Sequence, residues 1–321
     1  MTSSIARGPV VLGIERHELG AQDRERLMHP LVGGVILFTR NYQDGAQLRA
    51  LTGQIHALRA PALLICVDHE GGRVQRFRDG FTAIPPMRTL GELWERDVAH
   101  AASEARRLGE TIARELRSHG VDFSFTPVLD VDFGTSGVIG DRAFSSNPNA
   151  VADLAANLCR GLRAGGCAAV GKHFPGHGFV AADSHLEIPI DARPLSELLV
   201  SDLVPFAVLA KAGLEAMMPG HVIYPEVDSV PAGYSPAWIG DILRGRLGFD
   251  GLVFSDDLGM AGAFTAGDIV ARADAALAAG CDMVLTCNDP AAADELLSRW
   301  QPPWQPRLAD RAARMEGRSA A

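Results

Sequence analysis

Short, nearly continuous runs of apolar residues alternate along the chain with longer segments in which apolar positions recur every three or four residues. The short runs are 9–14, 33–39, 62–68, 122–131, 167–174, 215–222, 251–257 and 281–288. Because they do not alternate polar with apolar, they predict strands buried on both faces, as in a parallel sheet. Between them, 43–60 places Leu48, Leu51, Ile55 and Leu58 on one helical stripe. The segments 101–120, 150–165, 196–213, 235–248 and 268–280 follow the same plan, and each closes at a glycine, as helix C-termini often do. Ser235-Pro236 predicts an N-cap followed by proline at the first helical position, and Ser196 can open its helix in the same manner.

Eight strands with intervening helices predict an α/β fold, a single (β/α)8 TIM-type barrel with elaborated βα loops. An open doubly wound sheet is the alternative, but it usually carries a glycine-rich turn after its first strand. Here Glu15-Arg16-His17-Glu18 follows the first run. The stretch 69–98, with Pro85-Pro86, is too long for an ordinary βα loop and is expected to lie over the barrel mouth. No compositional break marks a second domain, so 1–321 reads as one catalytic barrel. The proline- and arginine-rich tail from about 301 is expected to be loosely attached.

Composition narrows the partners more than the fold. With 39 acidic against 30 basic residues the formal net charge is −9, and the arginines are scattered along helices. No basic stripe suits nucleic acid, and an acidic surface does not suit an anionic membrane. No apolar run approaches the length of a bilayer span, and the first eight residues lack a signal-peptide core, which predicts a cytoplasmic protein. A monomer is expected. Cys66, Cys159, Cys167, Cys281 and Cys287 form no CxxC pattern and read as small buried hydrophobes.

In a barrel the chemistry sits where the strands end. The polar residues closing the runs are Asp68, Asp130, Lys172-His173, His221, Asp256-Asp257 and Asn288. Any one of them has an ordinary structural explanation; their convergence on one mouth is the signal. The densest cluster is 171–178, Gly-Lys-His-Phe-Pro-Gly-His-Gly, followed by Asp183-Ser184-His185. His173 and His177 have zinc-like helical spacing, but Pro175 and Gly176 between them oppose a helix. Lys172 also permits a Schiff-base reading. In 254–258, Asp257 suits helix capping, whereas Asp256 is the first side chain to emerge at the mouth. In 67–77, paired glycines follow Asp68-His69-Glu70, and an Asp–Arg couple there is either a ligand clamp or a structural ion pair. His185 by itself reads as a surface-loop histidine, and His177 and His221 remain open between structural and substrate-contacting roles.

Taken as an ordered set, Asp-x-Glu-Gly-Gly-Arg-Val-x-Arg (68–76), Gly-Asp-Arg-x-Phe (140–144), Lys-His-Phe-Pro-Gly-His-Gly (172–178), Asp-Ser-His (183–185) and Ser-Asp-Asp-Leu (255–258) resemble glycoside hydrolase family 3. Within it, they resemble the β-N-acetylhexosaminidases of bacterial cell-wall recycling. The resemblance spans about 33–264. It implies that Asp256 is the nucleophile of a retaining mechanism, His185 the general acid/base and Asp183 its partner. It implies further that Asp68, Arg76, Arg142, Lys172 and His173 hold the sugar. The implied substrate is a muropeptide with a terminal β-1,4-linked GlcNAc, and neither a metal nor an organic cofactor is implied. Rival expectations are another family 3 specificity such as β-glucosidase, phosphorolysis, a catalytically silent sugar-binding protein, and a metal-dependent barrel hydrolase.

Overall fold

A computed structural model describes residues 3–181 and 188–318. Its eight barrel strands are β1 (Val10–Gly13), β2 (Val32–Leu37), β3 (Leu64–Val67), β4 (Phe123–Ser124), β5 (Val170–Phe174), β6 (Ala216–Pro219), β7 (Leu252–Asp257) and β8 (Met283–Thr286). Parallel ladders run in the order β4-β3-β2-β1-β8-β7-β6-β5. Single parallel bridges, Phe123 to Ala168 and Val128 to Lys172, join the two ends and close the (β/α)8 barrel. Each strand coincides with a run predicted from sequence, β2 starting one residue earlier at Val32. The fourth is the most shortened, because Pro127 has no N–H for a ladder and the chain beyond it pairs only at isolated points.

Side chains alternate between two apolar layers, as a strand period of two requires. Val10 and Leu12 face the helices, in a layer that also holds Leu48, Leu51 and Ile55. Val11 points inward, into a cluster with Ile36, Phe123, Phe254 and Met283. The outer helices are α1 (Ala21–Leu27), α2 (Gly45–His56), α3 (Arg88–Trp94), α4 (Val98–Ser118), α5 (Pro148–Ala164), α6 (Leu195–Leu198), α7 (Leu203–Lys211), α8 (Ile269–Ala279), α9 (Pro290–Arg299) and α10 (Leu308–Ala313), with a π-helical stretch at Ala237–Arg246. Side-chain caps open α2, α4, α5, α8 and α9. Ser235 Oγ accepts from the Trp238 N–H, as expected of a cap.

Two expectations are corrected. The segment 196–213 forms two helices, since Pro205 fits only in the first turn of a helix and α7 must restart just before it. The tail from about 301 is not loose throughout. Residues 301–307 lack regular structure and Trp304 is exposed, but Leu308, Ala312 and Met315 are buried in the cluster inside the barrel. Arg311 donates to Asp282, Gly317 N–H to Asp122, and Arg318 N–H to the Gly166 carbonyl. Asp122 and Asp282 stand just before β4 and β8, so α10 closes the N-terminal end of the barrel.

Candidate active site

At the opposite end, the strand termini surround a cavity of about 460 Å³. Asp68, Arg76, Arg142, Lys172, His173 and Asp256 all line it, so six of the eight sequence-predicted site residues come together. The other two, Asp183 and His185, lie outside the described residues.

The wall built on β3 and β5 is an ion network. Lys172, 4% exposed at its side chain, donates to Asp68 at 2.6 Å and to Glu70 at 2.7 Å. Arg142 forms a bidentate pair with the same Glu70, through Nε at 2.9 Å and Nη2 at 2.8 Å. Burial works to raise the Glu70 carboxyl, but Arg142 and Lys172 outweigh it and hold the group well below the usual carboxylate range. Burial likewise opposes the charge on Lys172, yet Asp68 and Glu70 prevail and raise its pKa. Arg76 approaches Asp68 more loosely, at 3.9 Å.

Beside this network, fully buried Asp130 collects three N–H groups. It accepts from the His173 ring Nδ1 at 2.7 Å, from the His173 backbone at 3.2 Å and from the His177 backbone at 2.8 Å. Burial raises this carboxyl, but His173 and the His177 amide more than offset that, leaving it lowered. His177 lines the cavity, whereas His221 is fully buried and donates from Nε2 to the Asp257 carbonyl at 3.1 Å.

On β7 the two adjacent carboxylates differ. Asp257 turns to the backbone, accepting from Gly259 N–H at 2.9 Å and Cys287 N–H at 3.3 Å. Desolvation raises its pKa. Asp256 accepts from the Asp257 N–H at 2.8 Å and stands on the cavity wall. Asp257 closes a turn onto Gly259 and does not cap the 3-10 helix Ala261–Ala266, whose N-cap is Met260, and both carboxylates line the cavity.

The stretch 69–98 does lie over the mouth. It contains a short hairpin, His69–Gly71 with Val74–Gln75, and then α3. Gly71 and Gly72 have φ of +113° and +55°, and a Cβ on either would run into Ile84, Pro85 or Pro86. This tight turn presents Arg73, Val74 and Arg76 to the cavity. All five cysteines are buried. Sequence reasoning did not single out Glu70 or assign a role to Asp130. Asp130 was visible only as the polar end of an apolar run and Glu70 only as a position of the 68–76 motif without a role, and their partners lie far away in sequence.

A carboxylate on one wall facing an array of fixed cations and acceptors suits a polyhydroxylated ligand. Comparisons with known proteins agree. Residues 11–314 match the glycosyl hydrolase family 3 N-terminal domain. A beta-hexosaminidase of Thiobacillus denitrificans is 59% identical over 313 residues, covering 98% of this chain and 87% of that protein. The crystal structure of native NagZ from Neisseria gonorrhoeae superposes with a TM-score of 0.94 at 50% identity, covering 98% of this chain and 92% of that one. The same Neisseria protein in complex with N-trifluoroacetyl-D-glucosamine gives the same TM-score and identity. Among the described residues no helix is long and apolar enough to cross a membrane. The chain belongs to glycosyl hydrolase family 3, as a glycoside hydrolase of the β-hexosaminidase type.

Proposed function

We propose that the protein is a retaining exo-β-N-acetylglucosaminidase. Its substrates are muropeptides, from which it removes the terminal β-1,4-linked GlcNAc of GlcNAc-anhydroMurNAc-peptides during peptidoglycan recycling in the cytoplasm. The single observation that carries this reading is Asp256, a carboxylate on the wall of a cavity whose other walls hold Asp68, Arg76, Arg142, Lys172 and His173.

In this reading those five residues bind the hydroxyls of the terminal sugar. The Asp130 carboxylate takes the His173 Nδ1–H and so leaves Nε2 for the ligand. Asp256 attacks the anomeric carbon, and the bond to the leaving oxygen breaks as the glycosyl-enzyme forms. His185 gives its proton to that oxygen and then takes one from the water that releases the sugar. Asp183, two residues away, fixes its tautomer and stabilises the imidazolium. No metal or organic cofactor takes part, and the whole chain acts as one catalytic domain.

Release of 4-nitrophenol from its β-N-acetylglucosaminide, with EDTA present, tests the reading. Turnover by the wild type that collapses in Asp256→Ala supports it. Equal turnover by both proteins, or none by the wild type, refutes it.

A further inference from the structure

Glu70 lines the cavity but is far less open to it than Asp68: its side chain is 2% exposed, against 21% for Asp68. Yet it meets both buried cations of the wall. Three of its contacts, to Arg142 Nε, Arg142 Nη2 and Lys172 Nζ, lie between 2.7 and 2.9 Å. Its backbone is equally constrained, because the following Gly72 N–H bonds the Ile84 carbonyl at 2.8 Å and both glycines pack against 84–86.

Counting donors shows what this arrangement leaves over. Lys172 has three N–H groups, of which Asp68 and Glu70 take two. Arg142 has five; Glu70 takes two, and the Val138 carbonyl accepts a third from Nη1 at 3.2 Å. Each cation thus keeps donors for a ligand, and Glu70 decides where those donors stand. A buried ion pair of this kind is a poor source of stability, since well-packed apolar groups often do as well or better. Its place in the wall of the cavity calls for another explanation.

We infer that Glu70 is a positioning residue: its one buried carboxylate sets the geometry of both Arg142 and Lys172 and keeps Lys172 charged for sugar binding. This rests on the substrate reading above. Asp68, partly exposed, can exchange Lys172 for a hydroxyl when sugar arrives; Glu70 stays and holds the frame. Without it, Lys172 faces the like charge of Arg142 with only Asp68 to oppose burial.

The test is a double-variant cycle on 4-nitrophenyl β-N-acetylglucosaminide, using wild type, Glu70→Gln, Lys172→Ala and the pair, with thermal melts as the folding control. Glu70→Gln is expected to lower kcat/KM about 10²-fold and to add an alkaline limb below about pH 10 that the wild type lacks. In the Lys172→Ala background the same change is expected to cost several-fold less, the remainder being its effect through Arg142, and to add no limb. Additive losses with no new limb overturn the inference while leaving the substrate reading intact. A wild type without turnover overturns both. Should Glu70→Gln not fold, Glu70→Asp carries the test, since it keeps the charge but shortens the reach; kinetics like the wild type's would then overturn the inference.

Discussion

The two ends of one barrel are built from the same strands and are chemically opposite. Where the strands begin, Phe123, Phe254 and Met283 meet Leu308, Ala312 and Met315 of the tail in a dry apolar plug. Where they end, Asp68, Glu70, Arg142 and Lys172 crowd into an ion network that burial alone would disfavour. Phe125 marks the crossover, with one edge on Phe123 at 5.4 Å and Lys172 Nζ over its face at 5.9 Å. The difference teaches that stability and chemistry are separated along the strand axis. The floor is optimised for packing, and the mouth keeps charges for a ligand to use.

Substitutions can break that separation if it is wrong. The largest effect is expected for Asp256→Ala, which should reduce kcat/KM by about 10³-fold or more while leaving the melting temperature within a few degrees of wild type. A large loss of stability would mean that the mouth also holds the fold. The converse variant, Phe123→Ala, removes a fully buried ring and should cost about 3–5 kcal/mol in denaturant unfolding, with kcat/KM of the folded fraction little changed.

Just past the mouth end of β3 stands His69, fully buried against Phe77 and Phe81, with neither ring nitrogen hydrogen-bonded among the described residues. Burial, helped by Arg78, pushes its pKa down to about 4 from 6.5. The unfolded chain therefore binds the proton first, and stability falls as pH drops from about 6.5 to about 4, by roughly 3 kcal/mol for this group. His69→Phe should remove that part of the acid sensitivity, measured as unfolding free energy at pH 7 and 4.5; an unchanged slope would refute the assignment. The smallest effect expected is from Met315→Ala, about 2 kcal/mol of stability and no change in kcat/KM, which sharpens the claim that the tail belongs to the floor.

The fold was legible because buried parallel strands are written as unbroken apolar runs, and all eight coincide with such runs to within a residue. Proline set the exceptions: Pro127 cut the fourth strand short and Pro205 divided one predicted helix into α6 and α7. The tail was misread because its stripe, Leu308, Ala312 and Met315, is only three residues long and is surrounded by arginines. Its period of four and then three is helical nonetheless. Asp256 and the five other predicted residues that line the cavity were legible from strand ends and from the ordered motifs. Glu70 was not, because nothing local distinguishes a carboxylate that binds cations 72 and more residues away. The Asp183–His185 assignment stays a reading of sequence alone, since 182–187 lie outside the described residues.

The plug at the barrel floor also has a consequence in time. During synthesis the strands are made in order, and α10 follows all eight of them. Until α10 arrives, the ring of Phe123, Phe254 and Met283 lacks the cover of Leu308, Ala312 and Met315, and water or another nascent chain can reach it. The enzyme's mouth is then complete in sequence while its base is still unsealed, so α10 acts as the stopper that turns a leaky cylinder into a stable vessel.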